Sequence, residues 1–183
     1  MSQIKVEKNV GGIEGLCLIT PTLHGDKRGY FMETYNENDM KEAGFDITFV
    51  QDNQSASVKG VLRGLHMQRD YPQTKLVRVI SGEVFDVAVD MRKDSPTYLK
   101  WYGVILSSEN NNQLLIPKNF AHGFLVLSDY AEFCYKVDDF FHPNDEYGLP
   151  YNDPAIGVDW NIPEGMELIM SDKDKNWTKL EDR

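Results

Sequence analysis

Apolar and polar side chains alternate through Val84-Phe85-Asp86-Val87-Ala88-Val89-Asp90, setting Phe85, Val87 and Val89 on one face and Asp86, Ala88 and Asp90 on the other. A period of two predicts a half-buried β-strand. The run at 75–80 precedes it with Ser81-Gly82 between, a pair of turn residues that predicts a tight hairpin. Further β-rich runs fall at 16–20, 47–50, 102–106, 113–116, 124–127 and 131–137, with turn-forming residues between them. In the last run Phe133, Tyr135 and Val137 share one face and Glu132, Cys134 and Lys136 the other, so Tyr135 is expected to point inward. One short helix is predicted over 40–43, capped by Asn38 or Asp39 and stopped by Gly44.

Many short strands with no βαβ alternation predict an all-β fold, an antiparallel sandwich or barrel of the jelly-roll kind. After Phe141 the content of Pro, Gly, Asn and Asp rises. The chain from about residue 142 is therefore expected to be an irregular tail packed on the barrel, with one or two short helices. A length of 183 residues suits one domain, 1–183, and 41% hydrophobic residues are enough to fill its core. The 29 acidic against 19 basic residues give a formal charge of −10, which disfavours nucleic acid and anionic membrane surfaces as partners. No stretch approaches the roughly 20 apolar residues that span a bilayer. The N-terminal segment lacks an export pattern, and Cys17 and Cys134 are two isolated cysteines without a CxxC pair, so the cytoplasm is the expected location.

The segment 60–68, Gly-Val-Leu-Arg-Gly-Leu-His-Met-Gln, sets Arg63 and His66 among apolar residues and two glycines. A regular strand would put Leu62, Gly64 and His66 on one face and Arg63, Leu65 and Met67 on the other. Taken alone, such a histidine is more often a hydrogen-bonded core residue. A second histidine, His122, lies in a Pro-started turn leading into a strongly apolar strand. Jelly rolls of the cupin type often hold a metal through an HxH pair, a nearby Glu and a His on a second strand. Here residue 68 is Gln and no Glu follows before Glu83, so no metal is expected and both histidines are left for acid–base or substrate contacts. On composition alone Asp172 and Asp174 form a solvated charge run, and residues 25–33 a charged turn entering a strand.

Taken together, these stretches resemble the dTDP-4-dehydrorhamnose 3,5-epimerase family. The resemblance rests on Asp26-Lys27-Arg28-Gly29 with Glu33, on Val50-Gln51-Asp52-Asn53-Gln54-Ser55, and on Val61-Leu62-Arg63-Gly64-Leu65-His66-Met67-Gln68. It continues through Lys75-Leu76-Val77-Arg78, the strand at 84–90 and Ile116-Pro117-Lys118-Asn119-Phe120-Ala121-His122-Gly123, and ends with Tyr135-Lys136, Asn152-Asp153, Asp159-Trp160 and Lys173-Asp174. The match runs in order over nearly the whole chain.

The resemblance implies a cupin jelly roll working without metal or cofactor on a dTDP-linked 4-keto-6-deoxy sugar. It implies His66 as base, Asp174 as the carboxylate orienting it, Tyr135 as the acid on the opposite face and Lys75 as the cation at the C4 oxygen. Arg28, Arg63 and Lys173 fall at diphosphate-binding positions, and Phe31, Glu33, Gln51, Asn53, His122 and Glu146 at positions lining the sugar or thymidine site. It also implies a homodimer in which the strand from Arg28 to Glu33 crosses into the partner's site. Arg28, Arg63, Lys75 and Lys173 are accordingly expected to converge on one positive cleft inside an acidic shell. The chain departs from the family pattern at Phe140-Phe141, where many members carry two tyrosines, and mildly at Tyr151, where Trp is frequent. The rivals are a mono-epimerase acting at C3 or C5 only, a metal-dependent cupin oxygenase or regulator, and a non-catalytic sugar-nucleotide binding module.

Overall fold

A computed structural model describes residues 2–182; Met1 and Arg183, the two ends of the expected 1–183 unit, lie outside the described residues. Thirteen strands follow one another: β1 (Ile4–Lys8), β2 (Cys17–Pro21), β3 (His24–Asp26), β4 (Gly29–Phe31), β5 (Gln51–Val58), β6 (Leu62–Gln68) and β7 (Lys75–Ser81). Then come β8 (Glu83–Asp90), β9 (Trp101–Ser107), β10 (Gln113–Ile116), β11 (Phe120–Val126), β12 (Tyr130–Val137) and β13 (Glu146–Gly148). The α-helices are α1 (Glu37–Glu42) and α2 (Asp172–Lys175). A six-stranded sheet in the order β1-β2-β10-β7-β12-β5 faces a five-stranded sheet in the order β13-β6-β11-β8-β9, and all the strand pairs are antiparallel. This is the expected jelly roll.

Three apolar clusters hold it together. Val77, Val79, Leu114, Ile116 and Phe133 of the larger sheet meet Val84, Ala88, Phe120, Phe124 and Val126 of the smaller one in the barrel interior. The outer face of the smaller sheet, with Leu62, Leu65, Phe85, Val87 and Leu125, is covered by Leu149, Ile156 and Trp160 of the tail. The outer face of the larger sheet packs Cys17, Ile19, Leu76 and Leu115 against Met40 of α1, with Tyr35, Phe45, Ile47 and Phe49 alongside.

The hairpin expected at Ser81-Gly82 does not form. β7 pairs with β10 and β12, whereas β8 pairs with β9 and β11, so the turn carries the chain from one sheet to the other. Gly82 sits there at φ 80°, and a Cβ would lie 2.1 Å from the Tyr130 carbonyl oxygen. Nor is β8 half-buried: every residue from Val84 to Asp90 is buried. The tail covers the outer face that carries Phe85, Val87 and Val89, while Asp86 and Asp90 alternate onto the inner face with Val84 and Ala88, so both sides of the strand are enclosed. The strand expected at 47–50 is also absent. Ile47 and Phe49 pack on the outer cluster, and the strand begins at Gln51. The cap of α1 is Asn36, whose side chain accepts from the amides of Asn38 and Asp39; Asp39 instead accepts from the Gln3 amide at 2.8 Å. Gly44 ends the helix region at φ 93° as expected.

Candidate active site

Strand β6 breaks the expected alternation. On β11 His122 lies opposite His66 and Phe124 opposite Arg63, so two steps along β11 match three along β6, with the slip falling where the Gly64–Leu65 peptide is cis. Directly paired residues share a face. Arg63 and His66 therefore both face the interior, while Leu62 and Leu65 join the cluster under the tail. This corrects the regular-strand reading, which put Arg63 and His66 on opposite faces. Strands β6 and β11 touch so closely that a Cβ on Gly64 would lie 2.6 Å from the Gly123 Cα.

The tail supplies His66 with its partner. Ser171 caps α2 by accepting the Asp174 amide at 3.1 Å, and Asp174 Oδ1 lies 2.5 Å from His66 Nε2. Trp177 donates its indole N–H to the same Oδ1 at 3.2 Å and presents its ring edge-on to the imidazole. Gly148, opposite His66 on β13, makes room for that indole: a Cβ there would lie 2.0 Å from Trp177. Asp174 is only 4% exposed, so the solvated reading of this acidic run is wrong for it. Burial alone would raise its pKa, but the His66 hydrogen bond and charge, with Trp177 and Ser171, hold the carboxyl below its usual range.

The facing wall belongs to the larger sheet. Tyr135 pairs with Val77 on one side and Asn53 on the other, and Val137 pairs with Lys75 and Gln51. Since Val77 and Phe133 are interior, register places Tyr135, Lys75, Gln51 and Asn53 on the inner face together. Burial pushes the Tyr135 phenol above its ordinary value, Arg63 opposing this and Glu146 adding to it. Desolvation draws the Lys75 ammonium down to about 8, with Asp86 and Glu146 pulling it back up. Gln51 and Asn53 are joined by a side-chain hydrogen bond of 2.8 Å, and Gln51 also accepts the Phe141 amide.

At the mouth, Arg63 donates to the Ser57 hydroxyl, and Lys173 is paired to Glu146 at 2.7 Å. His122 lies deeper, buried, with Nε2 2.9 Å from Asp86 Oδ2 and its ring stacked on Phe133. Three of the expected residues are elsewhere. Strands β3 and β4 form a two-stranded hairpin that joins neither sheet and adds no side chain to any of the three clusters. On it Arg28 pairs with Asp26, Phe31 is 65% exposed, and Glu33 just beyond accepts from Asn36. The expectation that Arg28 lies in the same cleft is thus corrected for the single chain, where it pairs with Asp26 on the hairpin; Glu146 binds Lys173 and its charge reaches Lys75 and Tyr135, on which Arg63 also acts.

Two residues of the site carry no signal in the sequence pattern. Asp86 reads as the polar, solvent-facing side of a half-buried strand, and its true surroundings emerge only once the two sheets close over the face it shares with Val84 and Ala88. Trp177 lies outside every motif and is found only through its spacing of three from Asp174 in the turn following α2. Among the described residues no group of three or more His, Cys, Asp or Glu side chains could hold a metal ion, and no helix is long and apolar enough to cross a membrane.

The β-barrel thus sets a His–Asp pair on one wall and a tyrosine and a lysine on the wall facing it, the side chains of an acid–base site. Comparison with known proteins gives the family. The family model for dTDP-4-dehydrorhamnose 3,5-epimerase matches residues 11–182. The dTDP-4-dehydrorhamnose 3,5-epimerase of Methanothermobacter thermautotrophicus is 54% identical over 92% of this chain and 91% of its own length. That of Escherichia coli K12 is 49% identical over 93% and 92%. The crystal structure of the dTDP-6-deoxy-D-glucose-3,5-epimerase of Legionella pneumophila, in complex with dTDP-4-keto-L-rhamnose, superposes with a TM-score of 0.92 at 47% identity, covering 97% of this chain and 93% of that one. The chain belongs to the dTDP-4-dehydrorhamnose 3,5-epimerase family.

Proposed function

We propose that this protein inverts C3 and C5 of dTDP-4-dehydro-6-deoxy-D-glucose, giving dTDP-4-dehydro-L-rhamnose. The observation that carries the reading is the placement of His66 with Asp174 across the interior from Tyr135. The C4 ketone acidifies the protons at C3 and C5, because either carbanion delocalises into an enolate. His66 Nε2 is bound to Asp174 in the free enzyme, so the imidazole proton resides between them and the other ring nitrogen takes the substrate proton. Asp174 steadies the imidazolium that results. Lys75 supplies the positive charge for the C4 oxyanion. Tyr135, kept protonated by its burial, returns a proton to the opposite face of the ring, and inversion follows.

Arg63 and Lys173 serve the diphosphate, for which a guanidinium fork is well shaped, and the substrate exchanges for Glu146 as the Lys173 partner. Gln51, Asn53, His122 and Glu146 line the sugar and thymidine subsites. The remaining diphosphate and nucleotide contacts come from Arg28, Phe31 and Glu33 of a second copy, in a cytoplasmic homodimer. What supports this is the hairpin of β3 and β4, which holds Tyr30 and Phe31 out at 56% and 65% exposure with no apolar cover in its own chain. Incubation with dTDP-4-dehydro-6-deoxy-D-glucose, followed by NMR of the product, tests the reading. Inversion at both C3 and C5 is expected; a product inverted at one centre would make the chain a mono-epimerase, and unchanged substrate would make it a binding module.

A further inference from the structure

One buried charge in the interior has no part in the steps above. Asp86 on β8 has no solvent exposure and sits between the interior apolar residues Val84 and Ala88 of its own strand. Its Oδ2 receives His122 Nε2 at 2.9 Å, but its Oδ1 has no hydrogen-bond partner. A buried carboxylate oxygen left unpaired is costly, and a purely structural position would be better filled by an apolar side chain. The facing sheet brings a complementary group: the Lys75 ammonium is within electrostatic reach of Asp86 and makes no side-chain hydrogen bond among the described residues.

We propose that Asp86 is a positioning residue for the enolate-forming step, holding His122 by Nε2 and drawing the cationic Lys75 ammonium into the interior where the C4 oxyanion develops. This rests on the epimerase reading of the same site. An imidazole held through Nε2–H presents a bare Nδ1, an acceptor for a sugar hydroxyl. The other titratable groups around the cluster are Arg63 and His66 on β6, Tyr135 on β12, Glu146 on β13 and, behind His66, Asp174. Of the carboxylates among them, Asp174 is held by His66, while Glu146 and Asp86 both act on Lys75 with Asp86 the stronger, and among the described residues the buried side-chain oxygen without a hydrogen-bond partner is Asp86 Oδ1.

The test is Asp86→Asn, which keeps an oxygen for His122 and removes the charge. The kcat and KM of variant and wild type are measured against pH on dTDP-4-dehydro-6-deoxy-D-glucose. Loss of the charge is expected to move the alkaline limb of kcat about one unit lower, which costs about tenfold at pH 9, with KM changed less than about threefold. A profile that superimposes on wild type, or a kcat lowered equally at every pH, would overturn the proposal. Because the variant can fail to fold, nitrogen-15 NMR of histidine-labelled wild type is the second readout: His122 protonated on Nε2 and bare on Nδ1 near pH 7 is expected, and the opposite tautomer would refute it. Wild type that turns over no substrate would instead remove the epimerase reading, while leaving the NMR result to judge how Asp86 holds His122.

Discussion

Asp174 reaches back 108 positions along the chain to place its Oδ1 2.5 Å from His66 Nε2, and Trp177 donates to the same oxygen. The contact ties the C-terminal tail to the barrel at the site itself, so stability and catalysis share one carboxylate. Replacement by Asn leaves the size unchanged and removes the charge that steadies an imidazolium. Asp174→Asn is expected to lower kcat about 100-fold with little change in KM, and His66→Asn by about 10²- to 10⁴-fold, the usual span for a general base. Because the Asp174 pKa is depressed in the folded state, its stabilising contribution is present above the ordinary carboxylate value of 3.8 and is lost as pH falls through the folded value. Thermal melting across pH 5 to pH 2 should therefore show a steeper loss in wild type than in Asp174→Asn.

Tyr135→Phe separates the two halves of the reaction. The ring and its packing against Phe133 remain, and only the phenolic proton goes. In heavy water the variant is expected to go on exchanging the proton that His66 removes, while net inversion drops about 100-fold. Mass spectrometry of recovered substrate alongside product NMR would show this; undiminished inversion would remove Tyr135 from its role.

Lys75 makes opposite demands on activity and stability. Its cationic form serves the oxyanion, so activity is expected to decline as pH rises through about 8. Folding has lowered its pKa from 10.5, so the unfolded chain binds more protons between those values and the Lys75 contribution to stability rises with pH there. Chemical denaturation at several pH values should show wild type gaining on Lys75→Met from about pH 8 toward 10.5, although the variant has lost most of its activity.

A shared site predicts complementation between two defective chains. Arg28→Ala damages the arm offered to a partner, and His66→Asn damages the base kept at home. In a randomly re-paired equal mixture half the dimers are mixed, and each has one intact site, so about one quarter of wild-type activity should return. Activity no higher than the average of the two parents would place Arg28 in its own chain's site or outside any site.

Most strands were legible from apolar alternation, the run at 47–50 excepted, and so was the inward direction of Tyr135, because β12 is regular from Phe133 to Val137. What escaped had physical causes. β5 reads Gln-Asp-Asn-Gln-Ser-Ala-Ser-Val, with few apolar positions, since part of its inner face lines a polar site. The side-by-side placement of Arg63 and His66 depends on a slip in β6, which no periodic pattern encodes. Ser81-Gly82 has the chemistry of a hairpin turn and makes a corner between sheets instead, a choice set by what β8 packs against. The burial of Asp86 follows from the closing of the two sheets and that of Asp174 from the tail folding back, and only the family resemblance marked Asp174 in advance.

Solvent hydrogen tests the central claim most directly, because every proton removed by His66 must be replaced from water. Turnover of dTDP-4-dehydro-6-deoxy-D-glucose in heavy water, with the product read by NMR and mass spectrometry, is expected to place two deuterons per molecule, one at C3 and one at C5. Label confined to one carbon, or inverted product carrying none, would contradict the account.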